Sequence, residues 1–130
     1  MLQDAHSFSG FSVKDQARAK EFYSQTLGLK VDEDKMGLTL KLADNHDVFI
    51  YAKDDHAPAS FTILNFVVDD IDAAVDELKA KGLKFESYDF GNGAKTDGKD
   101  IMRGLAANQG PDIAWFKDPD GNIMAVLQNE

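Results

Sequence analysis

Apolar residues recur along the chain in two rhythms, a two-residue alternation and a three-to-four-residue one, and the same succession of rhythms occurs twice. Phe11-Ser-Val-Lys-Asp15 through Leu27-Gly-Leu-Lys-Val31 lies over Phe66-Val-Val-Asp-Asp70 through Lys81-Gly-Leu-Lys-Phe85. Each copy opens with an alternating strand, passes an Asp placed to cap a helix (Asp15, Asp70), continues as a helix of about three turns, and stops at a Gly followed by Leu. The second copy is one residue shorter before its Gly. On the first helix Ala19, Phe22, Tyr23 and Leu27 share a face suited to burial, while Lys14, Arg18, Lys20 and Glu21 face water. Ile71, Ala74, Val75 and Leu78 form the matching face on the second, and Gly28 and Gly82 supply the left-handed conformation that ends each helix.

Further strands are predicted after each helix. In the first half they are Leu29 to Val31, Met36 to Leu42 and Val48 to Ala52. In the second half Leu83 to Tyr88 is followed by a weaker segment near Ile101 to Gly104, then by Ile113 to Lys117 leading into Ile123 to Leu127. Asp118-Pro-Asp-Gly-Asn122 has the residues of a tight turn, and Gly91 to Gly98 reads as a polar lid or edge loop that lacks the Gly-Lys-Ser/Thr ending of a phosphate cradle. The pattern predicts an α+β fold in one domain over residues 1–130, with internal modules of about 1–57 and 58–130. Each module puts a helix on one face of its sheet, and the other faces curve around a cavity.

Composition narrows the classes. The 130 residues are 43% apolar, enough for a core without covalent staples, and the lack of cysteine excludes disulfides, thiolate metal sites and cysteine nucleophiles. No apolar stretch approaches a bilayer span and the N-terminus carries no export signal, so a soluble, cytoplasmic protein is expected, with no membrane partner. A net charge of −9 repels phosphate backbones, which excludes nucleic acid and favours neutral or cationic partners.

Ser9-Gly-Phe-Ser-Val-Lys-Asp15 with Glu21-Phe-Tyr23, Phe66-Val-Val-Asp-Asp-Ile-Asp72, and Trp115-Phe-Lys-Asp-Pro-Asp-Gly-Asn122 together resemble the vicinal oxygen chelate superfamily, which includes glyoxalase I, extradiol dioxygenases and the bleomycin resistance proteins. The resemblance implies paired βαβββ modules in a U-shaped mixed-sheet half-barrel with the helices outside, a ligand within, and a homodimer. In the metal enzymes of that superfamily a divalent ion sits on side chains from the first and last strand of each module. Carried over by counting from Asp15 and Asp70 and from the turn ending at Asn122, those positions fall on Phe8, Ile63 and Ala125, with Ile50 as the fourth to within one residue. None has a lone pair to offer a metal, and the neighbours restore no His or Glu. No metal and no cofactor is expected.

His6 reads as a terminal residue, His46 as part of a turn, and His56 as a solvated cluster with Asp54 and Asp55. Strand alternation turns Phe8, Gly10, Ser12, Ile63, Asn65, Val67, Ile123, Ala125 and Leu127 inward, joined by Trp115 and Ile50. The same side chains would also suit a filled core or a subunit interface, but the small Gly10 and Ala125 favour open space. The predicted ligand-binding set is therefore Phe8, Gly10, Ser12, Ile50, Ile63, Asn65, Arg103, Trp115 and Ala125, around an apolar basin for a hydrophobic or aromatic small molecule. The reading is of a metal-independent binding protein that sequesters its ligand, and it leans away from an enzyme. The alternatives are a lyase, isomerase or dioxygenase of the same superfamily with relocated metal ligands, and an assembly module with a filled interior.

Overall fold

The computed structural model describes all of Met1–Glu130 and divides into two compact units, Met1–Pro58 and Ala59–Glu130. In the first unit β1 (Ser9–Val13) leads through a helix to β2 (Lys30–Asp34), β3 (Gly37–Lys41) and β4 (Asp47–Ala52). The sheet order is β1-β4-β3-β2, with β1 parallel to β4 and the other pairs antiparallel. The second unit repeats this with β5 (Thr62–Val67), α2 (Ile71–Ala80), β6 (Met102–Arg103), β7 (Asp112–Lys117) and β8 (Ile123–Gln128), in the order β5-β8-β7-β6. Two four-stranded mixed sheets, each with one helix, make the α+β architecture that the sequence pattern predicts.

Both helices start where the capping residues predict. Asp15 Oδ1 accepts from Arg18 N at 3.0 Å, and Asp70 Oδ1 accepts from Ala73 N at 3.1 Å, each satisfying a donor that the first helical turn leaves unpaired. The first helix, α1 (Gln16–Glu21), continues as a π-helical turn over Phe22–Thr26, with Leu27 N bonded to Phe22 O. A π-turn accommodates one more residue than an α-turn. The extra residue that the first copy carries before its Gly is absorbed there, so both copies reach a left-handed glycine, Gly28 (φ 70°) and Gly82 (φ 93°), before the chain turns back.

The core of each unit lies between sheet and helix. The Phe11 ring meets buried Tyr23 at 6.1 Å, which sets Phe11, Val13 and their partners Ile50 and Leu38 on the helix side of the first sheet. In the second unit Gln128 Oε1 accepts from Ile71 N at 2.9 Å, so the even positions of β8 (Met124, Val126, Gln128) face α2 together with Ala114 and Phe116. The odd positions and Trp115 face the other way.

The second unit departs from the predicted pattern after α2. Leu83 to Tyr88 forms no strand: Leu83 and Phe85 are buried, Phe85 makes one isolated bridge with Phe116, and Glu86 N donates to Trp115 O. Two buried anchors satisfy the apolar alternation without a ladder. The chain then pairs with itself, Thr96 N donating to Tyr88 O at 2.9 Å and Phe90 N to Ala94 O at 2.8 Å around Gly91-Asn-Gly93. The weak segment near Ile101 becomes the two-residue β6. No helix is long and apolar enough to cross a membrane.

Candidate functional site: an aromatic cleft in the second unit

Trp115 lies on the sheet face turned away from α2, paired across the ladder with Ala125, which in turn pairs with Asn65. Strand β5 carries a bulge: Thr62 pairs with Ile123 and Leu64 with Met124, leaving Ile63 as the extra residue. The bulge shifts the face assignment by one at this end of the strand, and Thr62 shares the Trp115 side. The indole Nε1–H donates to Thr62 Oγ1 at 3.1 Å, which fixes the ring against the sheet.

The segment that leaves the sheet after Phe85 returns two rings to this spot. Tyr88 packs against Trp115 with centroids 5.4 Å apart and planes at 75°, and Phe90 does so at 5.8 Å and 68°. Beside them opens a cleft of about 340 Å³ bounded by Ser60, Phe61, Thr62, Tyr88, Phe90, Trp115 and Ile123. No charged side chain lines it, and Phe61 and Phe90 are mostly exposed. Its size lies in the range of small-molecule sites, and its walls are aromatic, with the hydroxyls of Ser60, Thr62 and Tyr88 among its lining residues.

The other predicted site residues fall in several places. Gly10 and Ser12 lie on the face of the first sheet turned away from α1, together with Phe49 and Tyr51, whose rings stack at 6.0 Å. Ile50 is on the opposite face, fully buried beneath α1, which corrects its assignment to the ligand side; a shift of one residue makes Phe49 and Tyr51 the outward pair. Phe8 is 62% exposed and borders a separate cleft of about 400 Å³ with Met36, Thr39 and Phe49. Asn65 is exposed, while Ala125 has no exposed surface, so the open space lies at Trp115 and Ile123, not beside Ala125.

Arg103 lies away from the aromatic cleft. Its guanidinium donates through Nη1 and Nη2 to both oxygens of Asp72 on α2 at 2.8 Å, and through Nε to Asp97 at 2.9 Å. The bonds from Arg103, and then from Lys99, hold the Asp72 carboxyl far below the usual carboxylate range, and the bonds to Asp72, and then to Asp97, raise Arg103 further. The side chain ties α2 to the loop before β6 and faces the helix side.

His56 differs from its predicted role as well. Lys53 N donates to Val13 O, His56 N to Lys53 O, and this turn brings the imidazole Nδ1 to 2.6 Å from Ser12 Oγ. His56 is half-buried, and Asp55 pairs with Lys53 instead. No short sequence motif marks this pair, because its members are 44 residues apart. Thr62 was missed for a related reason: counting along a strand assumes regular alternation, and the bulge breaks it.

The residues at the strand positions do not fit a divalent metal. Phe8, Ile63, Ala125 and Ile50 offer no donor, their structural neighbours Thr62, Phe49 and Tyr51 supply only a hydroxyl and a phenol, and no group of three or more His, Asp or Glu converges anywhere in the chain. Asp118 and Asn122, the buried polar pair of the turn before β8, are consumed by it: Asp118 accepts from Asp120 N, Asn122 N and Asn122 Nδ2, each at 2.9 Å.

A family model for the Glyoxalase/Bleomycin resistance protein/Dioxygenase superfamily matches residues 6–126. Among solved structures, the antibiotic-binding protein TnmS3 from Streptomyces sp. CB03234 is 24% identical over 98% of both chains with a TM-score of 0.63. A glyoxalase family protein from Enterococcus faecalis is 20% identical over 98% of this chain and 99% of its own, with a TM-score of 0.65. The fosfomycin resistance protein FosX from Listeria monocytogenes is 13% identical over 98% of this chain and 94% of its own, with a TM-score of 0.66. No protein of curated function matches the sequence.

Proposed function

The chain belongs to the Glyoxalase/Bleomycin resistance protein/Dioxygenase superfamily, and we propose that it is a metal-independent small-molecule binding protein that sequesters a hydrophobic or aromatic ligand. The observation that carries this reading is the uncharged aromatic cleft at Trp115, with walls from Phe61, Tyr88 and Phe90. An aromatic guest there exchanges water for ring faces and edges, and the rings already hold one another in place, which limits the ordering cost of binding. The donor-poor strand positions support the absence of metal chemistry. The antibiotic-binding neighbour fits the same reading.

In this reading Trp115 forms the wall, Thr62, Asn65 and Ala125 contribute to the same sheet face, and Ile63 sits at the bulge beside them. Phe8, Gly10 and Ser12 line the corresponding face of the first unit. The protein works as a cytoplasmic homodimer in which exposed Phe8, Met36 and Val67 are covered by the second copy. Trp115 is the only tryptophan, so its fluorescence reports occupancy. Titration with a panel of planar aromatic and cationic compounds should quench or shift it saturably, and a folded protein that responds to none of them would overturn the proposal.

One observation favours a second reading. The Ser12–His56 pair holds a hydroxyl against an imidazole on the first sheet, an arrangement suited to catalysis by positioned polar groups. Turnover that is lost in Ser12→Ala and His56→Asn would establish the enzyme instead, and one divalent ion held per chain after purification without chelator would establish a metal enzyme.

A further inference from the structure

We infer that Thr62 is a specificity-determining residue of the aromatic cleft, and that it selects a planar, uncharged ligand bearing a carbonyl-type acceptor oxygen on its edge. The inference rests on the proposed binding role and specifies the ligand class.

The indole nitrogen is a donor only, and it uses one lone pair of Thr62 Oγ1. The hydroxyl keeps its own O–H, for which no protein acceptor is present, and Thr62 borders the cleft. An oxygen that accepts from an N–H becomes a better donor, because the two bonds polarise one another. The group presented to a guest is therefore a strengthened O–H at the foot of the Trp115 ring, with Phe61, Tyr88 and Phe90 as the other walls. A ligand with an acceptor at that edge satisfies it, whereas a hydrocarbon of the same shape covers it with nothing in return, the case in which a polar site discriminates most strongly. The lining has no Lys or Arg, and the chain carries a net charge of −9, so a carboxylate is a poor substitute for a neutral carbonyl.

Fluorenone and fluorene share one planar framework and differ in the carbonyl. Titrating Trp115 fluorescence with each should give roughly tenfold tighter binding of fluorenone, the worth of one hydrogen bond to a desolvated partner. Thr62→Val should remove that preference while Thr62→Ser keeps it, and the carbonyl stretch of bound fluorenone should move to lower frequency in the wild type and not in Thr62→Val. Equal affinity for the two compounds in the wild type, which needs no variant to be folded, would overturn the role of Thr62 and leave the binding proposal standing. A preference that survives Thr62→Val would do the same. Failure of both compounds to bind would overturn the use of the cleft itself, and this inference with it.

Discussion

The two units start from one pattern and use it differently. In the first, the strand after the helix forms: β2 pairs with β3 along five residues, and the sheet is complete. In the second, the equivalent segment is reduced to two buried anchors and a bridge, and the backbone it frees carries Tyr88 and Phe90 to Trp115. The regular sheet supplies a scaffold, and the aromatic cleft appears where regularity is given up. Site-bearing side chains often lie on irregular segments set against a rigid framework, since a ladder fixes its side chains at sheet spacing and a loop does not.

The largest effect should come from a residue that the two roles separate. Ile50 is completely buried in the first unit's core, and Ile50→Ala should cost about 2–5 kcal/mol of stability, measured by denaturant unfolding. Its ligand binding, measured under conditions where the protein is folded, should stay within twofold of wild type. A selective loss of binding at unchanged stability would put Ile50 back on the ligand side and erase the distinction between the faces.

Next in size is the contrast between the two aromatic faces. Replacing Phe90 by Ala removes a mostly exposed ring that touches Tyr88 and Trp115, and should weaken an aromatic ligand by about tenfold with a stability change under about 1 kcal/mol. Replacing Tyr51 by Ala removes a partly exposed ring from the first sheet, stacked on Phe49, and should leave that affinity unchanged. Isothermal titration of the two variants with one ligand decides the matter, and equal losses would mean that the ligand uses both faces.

How far the sequence reveals this molecule follows the same division. Capping Asp residues, terminating glycines and apolar spacing act locally, so both helices and the strands are legible in their type, β6 only as a weak segment, while the strand expected over Leu83 to Tyr88 does not form. Even the one-residue difference between the copies is visible, although only the structure shows that a π-turn absorbs it. What local patterns do not carry is register and return. The bulge in β5 exchanges Ile63 for Thr62, the uncertain spacing before β4 exchanges Ile50 for its neighbours, and the Ser12–His56 contact depends on where a turn returns the chain. Trp115 was legible because it lies in a regular strand. Tyr88 and Phe90 were not placed with it, because their alternation reads as a strand and the chain between them and Trp115 sets no fixed distance.

The smallest expected effect separates the units by charge. In the second, Asp72 accepts a two-pronged guanidinium bond from Arg103 and a bond from Lys99; in the first, Glu33 accepts from Lys20 and from the neutral Gln16. Both carboxyls are held below their ordinary values, Asp72 the further, first by its hydrogen bonds to the cations. A carboxyl depressed in the folded state contributes stability that is fully present above the unfolded value, about pH 4, and that is lost as pH falls through the folded one. Stability of the wild type and Asp72→Asn should therefore differ by a constant amount above about pH 5 and converge in acid, whereas Glu33→Gln should differ less and converge sooner. Both carboxylates are solvent-exposed, although Arg103 is half-buried, so added salt should shrink both differences, that of Glu33 more completely. A gap for Asp72→Asn that widens on acidification would mean that Arg103 is held by something other than this carboxylate, and its remaining bond to Asp97 would tie β6 only to the loop before it and not to α2.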